Sequence, residues 1–148
     1  MDNIVMQIVH IDDDEDFLKL FEFYIRKNLP DVEIKSFTRL QELMDFIKNN
    51  GGLVCDLVIT DYELQETSGI EVVKKLKEHY DDCVFILISG SRKMEVFKKA
   101  YEIGVDFFYH KLTPVKYLVH QICRICAMVK ENKILRRRLE GLQKQFAS

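Results

Sequence analysis

The sequence predicts an α/β fold: a doubly wound, five-stranded parallel sheet followed by one extended C-terminal helix. Three observations carry this. Short apolar, β-branched runs alternate five times with stretches of helical period, the pattern of a sheet covered by helices on both faces. The run 84–88 is apolar throughout, as expected of a strand buried on both sides. From Pro114 onward helical periodicity continues nearly to the end.

In order along the chain, 4–11 is β-branched and apolar and predicts a buried strand. The stretch 14–28 places Phe17, Leu18, Phe21 and Ile25 on one helical face. A short alternating run, 32–37, suits a strand near an edge. A second helix is expected over 38–50, with Thr38 as N-cap, Gln41 at the capping-box position and Gly51-Gly52 as the stop. A third strand follows at 57–60, then a helix over 68–80 with Ile70, Val73 and Leu76 facing inward. After the strand at 84–88 comes a helix over 91–103 ended by Gly104. A fifth strand is expected at 105–109, and Thr113 is placed to cap the final helix, with Pro114 in its first turn.

The 148 residues fit one ordinary domain with an appendage, and 47% hydrophobic content supports one core. A formal charge of -2 excludes a chain-wide positive field for nucleic acid. No apolar stretch approaches the ~18–20 residues of a membrane span, and the polar start does not read as a signal peptide. A cytoplasmic location with reduced thiols is therefore expected. Cys55 and Cys83 lie in or beside strands and read as small apolar packing residues. Cys123 and Cys126 form a C-x-x-C pair within a helical pattern, with no second ligand pair nearby, and read as helix-face packing.

In a sheet of this kind, ligands bind at the carboxyl ends of the strands. Asp12, Asp13 and Asp14 follow the first strand, Asp61 the third, Ser89 the fourth and Lys111 the fifth. Asp14 alone reads as a helix cap. The other acids would repel one another unless a cation joins them. A hard divalent ion such as Mg²⁺ takes oxygen ligands, and an amine and a hydroxyl beside it can bind the oxygens of a small anion.

These residues resemble the response-regulator receiver family. The segments 8–14 (IVHIDDD), 56–64 (DLVITDYEL), 87–90 (LISG) and 104–111 (GVDFFYHK) are similar to its acidic, phosphoacceptor, switch and lysine motifs, and the likeness spans roughly 4–128. The resemblance implies a flavodoxin-like strand order of 2-1-3-4-5. It implies Mg²⁺ as cofactor, held by Asp12, Asp13, Asp61 and the backbone carbonyl of Glu63. Asp61 would be the phosphoacceptor, served by Ser89 and Lys111, with Ser89 and Phe108 as switch residues. The implied partner is a sensor histidine kinase or phosphotransfer protein. The domain would catalyse only its own phosphorylation and dephosphorylation, and is otherwise no enzyme.

The sequence departs from the family at Gln65 and Leu112, where proline is usual, and at Phe107, where an acid is common. A cis bond before a residue other than proline costs ~2.5–4 kcal/mol, so a trans bond and a reshaped loop reaching Pro114 are expected. The departures motivate a second reading, a receiver-like interaction or dimerisation module that works without phosphorylation. A third, a flavin binder or small α/β enzyme, lacks a Gly-rich or Ser/Thr-rich loop after the first strand, where Asp12 and Asp13 would repel phosphate.

The domain is expected over 1–128 and a helical extension over 129–148. Ile125, Met128, Asn132, Leu135, Leu139, Leu142 and Phe146 recur in steps of three and four, a heptad seam with Asn132 at an a position. A homodimer through this helix is expected, with the extension leading toward an effector. Arg136, Arg137 and Arg138 read as a solvated face, and direct nucleic-acid binding is not expected.

Overall fold

The computed structural model describes residues 4–147. The elements are β1 (Gln7–Ile11), α1 (Glu15–Asn28), β2 (Glu33–Phe37), α2 (Leu40–Asn49), β3 (Leu57–Asp61), α3 (Gly69–Lys77), β4 (Val84–Ser89), α4 (Met94–Glu102), β5 (Phe107–His110) and α5 (Val115–Phe146). All neighbouring strands pair in parallel, in the order β2-β1-β3-β4-β5. The expected fold class and strand order are both found.

Alternation along the strands divides the core in two. Ile8, Leu57, Ile59, Ile86 and Ile88 face α1 and α5, where they meet Phe21, Ile25, Leu118 and Ile122. Val9, Ile11, Val58, Phe85 and Leu87 face the other way, onto Leu43 of α2, Val73 and Leu76 of α3 and Ala100 of α4. Every residue of β3 is buried, whereas all four of β5 are only half-buried, because β5 is an edge strand. Burying a Leu or Ile side chain is worth about 1.5–3 kcal/mol, so these two layers hold the sheet edge that carries the acids.

The elements differ from the expected spans mostly at their ends. Residues 4–6 are not strand, although Ile4 and Met6 are buried. Thr38 does not cap α2. The helix begins one residue later behind Arg39, and Thr38 bonds instead to Glu42 through both its N–H and its hydroxyl. Gln41 turns to Asp45 and forms no capping box. The expected start of α4 at Ser91 is also too early. Ser89 and Ser91 each accept, through Oγ, the N–H two residues on, and such local bonds turn the chain before a helix can begin. Gly104, at φ 86, closes α4 where an L side chain would be strained. Pro114, not Thr113, occupies the cap position of α5. No cis peptide bond occurs among the described residues, so the Lys111–Leu112 bond is trans, as expected.

The final helix stays on the core further than its first turns. Val129 and Ile134 still pack against the α1/α5 layer, and Lys133 forms an ion pair with Asp56, just before β3. From Leu135 onward the helix is exposed.

Candidate functional site

Parallel pairing brings the carboxyl ends of β1, β3, β4 and β5 to one edge, and each ends in a functional group. Asp12 directly follows β1, and Asp61 and Ser89 are the last residues of β3 and β4. Lys111 follows β5. Asp12, Asp61 and Ser89 are buried; Asp13 is half-buried.

One carboxylate oxygen from each of Asp12, Asp13 and Asp61 lies within 4.8 Å of the others. Lys111 spans the group. Its Nζ donates to Asp61 Oδ2 at 2.7 Å and to Asp12 Oδ2 and Oδ1 at 3.1 and 3.3 Å. It also sits 5.4 Å from the centre of the Phe17 ring, in cation–π range. Asp12 Oδ1 accepts the Asp14 N–H at 2.9 Å. Asp14 itself caps α1, its Oδ1 accepting from Asp16 and Phe17, as its sequence position suggested.

The electrostatics follow from two buried acids sharing one amine. Burial raises the Asp12 pKa from 3.8 to about 6, aided by the Asp61 charge and opposed by the Asp14 N–H and Lys111. Burial likewise raises Asp61, against Lys111 and the Glu63 N–H, with the Asp13 charge adding to the rise. Burial alone would lower Lys111, but its bonds to Asp61 and Asp12 outweigh this and raise it. The shifts are consistent: the amine has two counter-charges, while each acid has a share of one.

The residues fit a divalent cation. Asp61 Oδ1 is buried and has no hydrogen-bond partner among the described residues, so a coordination position is open on an atom that is costly to leave unpaired. A cleft of about 540 Å³ reaches it, lined by Asp13, Asp61, Glu63, Gly90, His110 and Lys111. Oxygen donors alone form the set, which suits Mg²⁺.

Ser89 immediately precedes Gly90 of this cleft, and Phe108 lies on β5 three residues before Lys111. Ser89 Oγ accepts the Ser91 N–H at 3.0 Å, so its own proton remains free to donate. Ser89 pairs with His110 across β4 and β5, and its carbonyl accepts the Lys111 N–H, which fixes the lysine to the serine's strand. The Phe108 ring is half-buried and meets Phe97 of α4 edge-on, with centroids 5.3 Å apart.

Three features were not read from the sequence. Gly69 begins α3 directly under β3: a Cβ there would lie 2.5 Å from the Asp61 carbonyl oxygen. Its N–H donates to the Tyr62 carbonyl at 2.8 Å, which closes the loop after Asp61 although Gln65 replaces the usual proline. The Ser-Gly pair ahead of an apolar helix face was the available signal. His10 is fully buried beneath the site, 4.6 Å from the Phe21 ring centre. Burial, together with Lys111, holds its pKa down at about 3, so it is neutral. At the turn after Lys111, the Leu112 N–H donates to His110 Nδ1 at 3.1 Å, a side-chain contact that no spacing rule would reveal.

Comparison with known proteins gives the family and the fold. The family model described as response regulator receiver domain matches residues 8–122. The response regulator protein TmoT of Ectopseudomonas mendocina is 30% identical over 99 residues, 66% of this chain and 43% of that protein. The chain spans less than half the length of the curated relatives it matches. Among solved structures, a CheY-like receiver domain protein of Methanospirillum hungatei JF-1 superposes with a TM-score of 0.74 at 18% identity, covering 87% of this chain and 99% of that one. The response regulator DrrB of Thermotoga maritima, an OmpR/PhoB homologue, gives a TM-score of 0.71 at 22% identity over 84% of this chain and 54% of its own.

Proposed function

Because the chain belongs to the response regulator receiver domain family of two-component signalling, we propose that it is a phosphorylated switch whose acceptor is Asp61 and whose cofactor is Mg²⁺. One observation carries the reading: three carboxylates and one lysine converge at one sheet edge, and Asp61 keeps a buried oxygen without a partner.

Asp12, Asp13 and Asp61 would hold the ion, with the Glu63 backbone carbonyl as a further ligand. When bound, Mg²⁺ supplies positive charge against the acids and the transferring phosphoryl oxygens. An Asp61 carboxylate oxygen attacks the phosphorus of a phosphohistidine on a sensor kinase or phosphotransfer protein. The phosphorus–nitrogen bond breaks, the imidazole leaves, and an acyl phosphate forms on Asp61. Lys111 follows the new charge, exchanging a carboxylate contact for a phosphoryl oxygen. Ser89 donates its free hydroxyl proton to another. The rearranged serine loop gives the Phe108 ring, packed on α4, a reason to move. The chain positions and neutralises, and its chemistry ends at its own phosphorylation and dephosphorylation.

The extension supports a second proposal about partners. Leu135, Leu139 and Leu142 are each more than half exposed, at heptad spacing, and a second copy of this helix in parallel would cover them. We take the domain as 1–128 and the extension as 129–148, with the start of the extension held on the domain through Val129, Lys133 and Ile134. No described helix is long and apolar enough to cross a membrane, and the cytoplasm, where sensor kinases present their phosphohistidine, is the proposed location.

Incubation with acetyl phosphate and Mg²⁺ tests the switch. Mass spectrometry should show the gain of one phosphoryl group, abolished in Asp61→Asn and strongly reduced in Asp13→Ala. Equal labelling of Asp61→Asn would overturn the acceptor; no labelling of the wild type would favour an interaction module that works without phosphorylation.

A further inference from the structure

At the end of the sheet opposite the acids, two thiols face each other. Cys55 lies just before β3 and Cys83 just before β4, and both are free. Their strands are neighbours, with Leu57 paired to Val84. Cys83 Sγ donates to the Cys55 carbonyl at 3.0 Å, and Cys55 Sγ to the Leu57 carbonyl at 3.0 Å. Both side chains pack in the same core layer as Val58 and Phe85. Continuing the Leu57–Val84 register, Cys55 stands one residue diagonal to Cys83; strands about 4.8 Å apart with a rise of about 3.3 Å per residue put such a pair roughly 5.8 Å apart at Cα, inside the ~4.4–6.8 Å that a disulfide spans.

The surroundings suit thiol oxidation. A cleft of about 420 Å³ opens beside the pair, lined by Cys55, Asp56, Asp82, Val129, Lys133 and Arg136. It admits a small oxidant on the side of the pair that Cys55 lines, and its charged groups mix Lys133 and Arg136 with Asp56 and Asp82. The Cys55 side chain lowers the Cys83 pKa, opposed by burial and by the Asp56 and Asp82 charges, while the Cys83 side chain and burial raise Cys55. Cys83 is thus the member that ionises first, and the thiolate is the reactive form.

We propose that Cys55 and Cys83 form a reversible disulfide in the folded chain on exposure to hydrogen peroxide, an oxidation site separate from the acidic edge. The Cys83 thiolate attacks one peroxide oxygen; the O–O bond breaks, hydroxide leaves and takes up a proton, and Cys83 becomes a sulfenic acid. The Cys55 sulfur then attacks the Cys83 sulfur; the S–O bond breaks, an S–S bond forms, and the hydroxyl leaves with the Cys55 proton as water. Two thiols are oxidised and one peroxide is reduced to two waters.

The test is peroxide treatment of the whole native protein, followed by alkylation of remaining thiols and peptide mapping. The expected product has lost two hydrogen atoms, contains a peptide linked through Cys55 and Cys83, keeps its circular dichroism, and reverts with dithiothreitol. In Cys55→Ala the Cys83 sulfenic acid should persist and react with dimedone. Thiols that stay reduced, oxygens added to each cysteine with no linked peptide, or a link confined to Cys123 and Cys126 would overturn the proposal. So would a link that forms only as the circular dichroism is lost. Mapping the wild type reads the result directly, so the proposal stands or falls even if a cysteine variant fails to fold.

Discussion

Lys111 joins two carboxylates from distant parts of the chain, and the balance at Asp12 gives a pH-dependent stability. Its pKa in the fold, about 6 against an ordinary 3.8, means that the folded state holds this proton to higher pH than the unfolded chain. The stability linked to the protonated group is full below about pH 4 and is lost as pH rises through about 6. At neutral pH the ionised Asp12 therefore works against folding when no cation is bound. Asp12→Asn should raise stability by roughly 1–3 kcal/mol at pH 7 in metal-free buffer, with the gain shrinking toward zero near pH 4. Urea unfolding at the two pH values measures it. A lower midpoint at pH 7 would mean that pairing with Lys111 outweighs burial. The residue types at this edge were legible in the sequence because each follows a predicted strand. Their pairing was not, since a strand order leaves open which carboxylates the long Lys111 side chain reaches, here both Asp12 and Asp61.

The strands were legible element by element from their β-branched runs, and β3 and β4 each extend one residue beyond expectation to include Asp61 and Ser89. Helix starts were less legible, because side chains such as Ser89, Ser91 and Thr38 bind nearby groups and move the first turn. The docking of α5 was hidden for another reason: Asp56 and Lys133 carry no pattern that marks them as partners. Asp56 is buried, accepts the Gln7 N–H at Oδ2 and pairs through Oδ1 with the Lys133 ammonium. Removing the amine leaves a buried charge half-compensated. Lys133→Met should lower stability by about 1–3 kcal/mol, less than a fully buried pair because the lysine is partly solvated, whereas Lys133→Arg should recover most of it. Urea midpoints for the two variants decide this; equal midpoints for Met and wild type would make the contact incidental.

For the whole molecule, the exposed seam of α5 sets the question of assembly. Several leucines per chain, at ~1.5–3 kcal/mol each, stand against an association cost of ~4–15 kcal/mol, so a dimer should form in a measurable concentration range. Sedimentation should show dimer growing from low to high micromolar wild type, and Leu139→Glu with Leu142→Glu should leave a monomer with an unchanged fold. A wild type that stays monomeric throughout, phosphorylated or not, would reduce the seam to an amphipathic tail. The helix has a further mechanical consequence. Beyond Ile134, its last contact with the core, it runs to Phe146, an arm of roughly 18 Å at 1.5 Å per residue. With Lys133 and Asp56 beside the fulcrum, a tilt of about ten degrees there would sweep the tip sideways by about 3 Å, the leverage that a rigid rod of that length provides.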